Sequence, residues 1–170
     1  EHRKIIDENL RYLMSRSFQI DYPELYQRVR RYMSDLTILH TVAKENLPAE
    51  HYSEERIEYL FYASVRHLAN LKGVKNINRI SNVLSLFTYL GLIFKKTRED
   101  MPKEYIEDIS KIMSDTKIDK LSFFCLPSYS EEIMTFGEEK ATEFKNKNLS
   151  MKGWSRELLY RTLGEEEADR

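Results

Sequence analysis

The chain is poor in residues that break, cross-link or span. Its 170 residues include five glycines, four prolines and one cysteine. No apolar run approaches the roughly 20 residues that a membrane-spanning helix needs, which excludes such a helix. Few breakers beside 32% charged residues point to a mainly helical chain, and 41% hydrophobic residues are enough for a core. The lone Cys125 excludes an internal disulfide and fits a reducing cytosol, so the expected location is cytoplasmic. Its setting, Leu121-Ser122-Phe123-Phe124-Cys125-Leu126, reads as a buried thiol serving as a small hydrophobe.

Catalytic signatures are missing too. There is no Gly-rich phosphate loop, no G-x-S-x-G and no H-E-x-x-H. His2, His40, His51 and His67 keep no metal-ligand spacing, and Cys125 has no cysteine nearby. The carboxylate pairs Glu54-Glu55 and Glu138-Glu139 read as solvated helix faces rather than acid–base machinery. The eleven tyrosines, spread along the chain, read as packing. No enzyme activity, cofactor or metal is expected.

One further absence is the most informative. Between Tyr59 and Arg98 there is no Asp or Glu, although 40 residues at the chain's mean acid content would hold about six or seven. The same window carries Arg66, Lys72, Lys75, Arg79, Lys95, Lys96 and Arg98. Net charge is only −1, so taking these seven away leaves 20 basic against 28 acidic side chains elsewhere. A one-signed segment attracts polyanions, nucleic acid first among them.

Hydrophobic spacing predicts helices over residues 3–18 and 23–46, with Ser17 to Tyr22 as a break between them. Pro23 suits the first turn of the second helix, and Asp21 lies near its cap. A third helix is expected to open at Ser53 and run toward Leu71, either whole or split near Ser64. Helices follow over residues 77–90 and 102–114. Another opens at the capping-box pattern of Ser128 and Glu131 and runs through Phe144, and a last one covers residues 155–163. Strand character marks residues 92–97 and 121–126, the latter stopped by Pro127.

Within the basic window, Leu68-Ala69 is followed four residues later by Gly73-Val74. Further on come Arg79-Ile80-Ser81-Asn82-Val83-Leu84 and Leu90-Gly91-Leu92-Ile93, with Lys95 and Lys96 after the turn. This pattern resembles the winged helix-turn-helix proteins over about residues 53–126. Two features depart from it. The turn after Gly73 looks about one residue longer than the common form, and about two dozen residues of helical character separate the two wing strands.

The resemblance implies a mainly α fold with a winged helix-turn-helix core over residues 53–127 and a small two-stranded β wing. A helical arm over residues 1–50 and a helical extension over 128–170 flank that core. On the helix over residues 77–90, Ile80, Val83, Leu84, Phe87 and Leu90 share one face. The opposite side presents Asn78, Asn82, Ser85 and Tyr89, flanked by Arg79 and Ser81. Asn reads adenine and Arg reads guanine in a major groove. Asn76, Asn78, Arg79, Ser81, Asn82 and Ser85 are therefore the candidate base contacts, and Lys72, Lys75, Lys95, Lys96 and Arg98 the candidate phosphate contacts. The competing reading makes Asn76 and Asn78 turn and cap residues and Arg79 a surface charge.

The expected function is sequence-specific binding of double-stranded DNA, in transcriptional regulation or in replication or partition control of a mobile element. The alternative is a winged-helix protein–protein interaction module without DNA binding, which the acidic pI of about 6.5 favours. The apolar faces of residues 3–18 and 23–46 exceed what one small module needs, so part of them is expected to form a homodimer. Nothing in the sequence identifies a small-molecule effector.

Overall fold

A computed structural model describes residues 2–46 and 59–151. Residues 53–58 of the helix predicted from Ser53 toward Leu71, and the whole helix predicted over 155–163, lie outside the described residues. Helix α1 (His2–Leu13) is followed by α2 (Arg16–Asp21), whose first turn is capped by the Ser15 hydroxyl accepting from the Phe18 N–H at 3.4 Å. The break thus falls at Ser15, and residues 17–21 are helical, not broken as predicted. Phe18 is the reason. Its ring is fully buried, with centroids 5.7 Å from both Tyr12 and Tyr26, and the early turn is what swings it inward.

Helix α3 (Pro23–Val29) carries Pro23 in its first turn as predicted. A 3-10 turn at Arg30–Tyr32 separates it from α4 (Met33–Glu45). The single helix predicted over 23–46 is interrupted because its halves face different partners. Helix α3 packs on the final described helix, Glu131–Asn146, whereas α4 packs on α1 and on strand β1 (Tyr59–Ala63).

Strand β1 replaces helix at residues 59–63. The run Tyr-Leu-Phe-Tyr-Ala fits either period. The choice is made by pairing with β3 (Ser122–Leu126), for example Phe61 opposite Phe124, whose rings stack 5.4 Å apart. Next come α5 (Val65–Lys72), α6 (Ile77–Tyr89) and β2 (Phe94–Lys96). Helices α7 (Lys103–Ser110) and α8 (Asp115–Ile118) fill the long connection to β3, as the helical character of that insert predicted. The sheet is antiparallel with order β1-β3-β2, so it has three strands where two were expected. The chain is mainly helical around it.

Helix α9 (Glu131–Asn146) begins at Ser130, not Ser128: the Ser130 hydroxyl accepts from the Ile133 N–H at 3.4 Å. The start is delayed because the preceding backbone is already engaged. The buried Asn9 amide donates to the Pro127 carbonyl at 3.0 Å, and its oxygen accepts from the Tyr129 N–H at 2.9 Å. Its second donor hydrogen meets His40 Nε2 at 3.3 Å. That fixes the tautomer, because His40 Nδ1 is then the protonated nitrogen, donating to the Leu36 carbonyl at 2.8 Å. Tyr129 lies edge-on to the His40 ring and donates its hydroxyl to the Leu92 carbonyl at 3.0 Å.

Glu138, read as solvated, is half-buried instead. Its carboxylate accepts from the Glu24 and Leu25 N–H groups at 3.0 and 2.8 Å, so α9 caps α3 in place of Asp21.

His40 is fully buried, and desolvation pushes its imidazole down to about 4 despite the bond to Leu36. The unfolded chain then binds a proton that native His40 refuses. Stability is complete above the unfolded value of about 6.5 and falls as pH drops toward the native one. Between pH 7 and pH 5 this should remove about 2 kcal/mol of unfolding free energy, read by urea titration. The variant His40→Gln should be less stable at neutral pH and lose most of that slope.

Candidate nucleic-acid interface

Helix α5 starts at Ser64, whose hydroxyl accepts from the His67 N–H at 3.0 Å. It ends at Gly73, in the left-handed region with φ +76°. The Gly73 N–H donates to the Asn70 carbonyl and the Val74 N–H to the Ala69 carbonyl, a Schellman closure. Helix α6 ends the same way. Gly91, φ +74°, donates to Thr88, and Leu92 donates to Phe87. Gly73 and Gly91 thus close α5 and α6, and these two turns bound α6 at its two ends.

On α6 the predicted inner face of Ile80, Val83, Leu84, Phe87 and Leu90 is buried. Leu86 and Tyr89 are buried as well, so the second half of the helix is covered on most sides. Tyr89 therefore leaves the predicted polar face: it is 2% exposed, its hydroxyl donates to the Lys140 carbonyl at 3.3 Å, and Phe144 packs beside it. The packing of α9 against this end was not readable from α6 alone.

The open surface is the first half of α6. Asn76 is exposed and caps the helix, its side-chain oxygen accepting from the Asn78 N–H at 3.0 Å. Asn78 is exposed. Ser81 and Asn82 are half-buried. Ser85 is exposed, but its hydroxyl donates back to the Ser81 carbonyl at 3.0 Å. Four of the six candidate base contacts thus fall within two helical turns, with Asn76 just ahead of them.

The sixth, Arg79, is engaged elsewhere. Its guanidinium lies 3.8 Å from the carboxylate of Asp35 on α4, and Lys72 Nζ lies 3.6 Å from the same group. Lys72 also hydrogen-bonds the Ser34 hydroxyl. Asp35 was missed in the sequence because it lies outside the acid-free window. Its signal was there: Asp35 shares a helical face with Ile38, Leu39 and Val42, an acid in an apolar stripe. Arg98, the last phosphate candidate, is paired with Asp119 at 3.1 Å across the ends of the α7–α8 insert. Lys75 and Lys95 are exposed, and Lys96 is half-buried near Asp100. Among the described residues, no acid comes within ion-pair distance of these three lysines.

No family model matches the chain, and no curated protein or solved structure shows significant similarity to it.

The two glycine turns make a graded prediction. A Cβ at Gly73 would meet nothing within 4 Å, so Gly73→Ala carries only the left-handed penalty, about 1–2 kcal/mol. A Cβ at Gly91 would lie 2.7 Å from the Phe136 ring, so Gly91→Ala should cost about 1 kcal/mol more than Gly73→Ala. Urea unfolding of both variants reads the difference, and Phe136→Ala should erase the excess.

Proposed function

We propose that this chain binds double-stranded DNA through the first half of α6, in the manner of a winged helix-turn-helix protein. The element order supports that reading: helix α4, strand β1, helices α5 and α6, then β2 and β3 in a sheet ordered β1-β3-β2. Here α7 and α8 stand where a short wing hairpin would be. One observation carries the functional reading: the uncovered part of α6 after Ile77 bears Asn78, Ser81, Asn82 and Ser85, and the exposed Lys75 stands just ahead of the Asn76 cap. An amide-rich helix start meets base edges, and lysines beside it neutralise phosphates. Lys95 and Lys96 on β2 extend the phosphate-binding set. The role follows as transcriptional regulation, or replication or partition control on a mobile element, since both use the same contacts.

Pairing of two copies accompanies this proposal, on a narrower basis than the sequence offered. Ile6, Leu13, Phe18, Leu25, Val29, Leu36 and Leu39 pack inside the chain. Met14 and Ile20 remain exposed for a partner copy. Sedimentation as a strict monomer at micromolar concentration removes the pairing.

A specific observation favours the interaction-module reading. Leu71 and Ile77 flank the α5–α6 turn and are exposed, 51% and 38%. Salt dependence separates the two. If Lys75, Lys95 and Lys96 each neutralise a phosphate, log affinity for duplex should fall against log salt with a slope of about −3 per subunit. The double variant Lys75→Glu, Lys95→Glu should abolish duplex retention while leaving the fold intact. A slope near zero in the unmodified protein overturns DNA binding in favour of the apolar turn as a protein contact.

A further inference from the structure

Asp35 is an acid set into the inner side of α4, only 7% exposed, at the junction of α4, α5 and α6. Neither carboxylate oxygen has a hydrogen-bond partner among the described residues. What it has is charge: Lys72 Nζ at 3.6 Å from α5 and the Arg79 guanidinium at 3.8 Å from α6. A carboxylate removed from water is costly unless cations compensate it, so these two are drawn inward. The side chains that answer are 21% and 39% exposed, so both also reach the outer surface. Because these distances exceed those of hydrogen-bonded pairs, Asp35 acts on each cation by field rather than by a fixed bond, and the one fixed bond is that of Lys72 to the neighbouring Ser34 hydroxyl. Lys72 and Arg79 stand seven residues apart on either side of the α5–α6 turn, and one acid governs both.

We propose that Asp35 is an internal counterion that withholds Lys72 and Arg79 from a polyanion bound at the first half of α6. The inference rests on the DNA reading and assigns which cations of that interface are active. With Asp35 ionised, the phosphate-neutralising set is Lys75, Lys95 and Lys96. Without it, Lys72 and Arg79 join the set. Asp35 touches no nucleic acid; it is a positioning residue acting through two others.

The test is the salt dependence of duplex binding by the full chain, using a random-sequence duplex. Asp35→Asn keeps the side-chain shape and removes the charge. Its log–log slope should be steeper than that of the unmodified protein by about 1 to 2, since each added phosphate contact contributes about 0.9. Arg79→Gln, at a partly exposed position, should change the slope by less than about 0.5 in the unmodified background and by about 1 in the Asp35→Asn background. A purely structural Asp35 would alter stability and leave both slopes alone. An unchanged slope in Asp35→Asn, or a full unit lost on Arg79→Gln alone, overturns the counterion while leaving DNA binding in place. If Asp35→Asn fails to fold, the Arg79→Gln slope alone decides. A zero slope in the unmodified protein overturns DNA binding and the counterion together.

Discussion

The fold hangs on the side chain of Asn9. Its amide is buried, and every strong hydrogen-bonding position that matters is used: His40 Nε2, the Pro127 carbonyl and the Tyr129 N–H. Removing it would leave two buried polar groups and one half-buried N–H without this partner, a buried group costing about 1–3 kcal/mol when left unpaired. The three partners belong to α4 and to the segment leaving β3, so one amide fixes α1 against both. The exit of β3 in turn fixes the central strand, against which β1 and β2 take their register. Tyr129 adds a second tie, from that same exit to the Leu92 carbonyl just after α6. Through that tie the end of α6, and with it the helix that carries the candidate interface, is linked to the Asn9 network.

Helix α6 and strand β3 were legible in the sequence because their signals are local. A stripe at helical spacing closed by glycine describes α6, and an aromatic run stopped by proline describes β3. Strand β1 was not legible, since Leu60, Phe61 and Ala63 serve equally as one face of a helix until a partner strand some sixty residues away claims their backbone. Glu138 and Tyr89 misled for a related reason. Each looks solvated along its own helix and is covered by another one, Glu138 at the start of α3 and Tyr89 beneath α9. Polar partners between distant elements leave no periodic trace.

The basic window teaches the same distinction for charge. It is free of acids along the chain and not in space. Asp35 enters from α4 and Asp119 from the insert, and between them they engage Lys72, Arg79 and Arg98. Segregation by sequence therefore overstates the positive surface. Among the described residues, Lys75, Lys95 and Lys96 are the cations of the window's candidate phosphate set without an acid in ion-pair distance, Lys96 still lying in the field of Asp100. Lys75 stands next to a helix cap, Asn76, that already serves the backbone. The candidate interface is smaller than the sequence drew it.

The carboxylate of Glu138 bears on how the protein is made. It closes open N–H groups of α3 from a position 113 residues further along the chain, and Lys145 reaches Glu24 beside it. A ribosome releases α3 long before α9, so the early helix emerges with its leading amides bare and waits for its lid. Contacts of such long separation form slowly. Until they do, the nascent first half stays open to solvent, and a truncated product would carry that unfinished helix permanently.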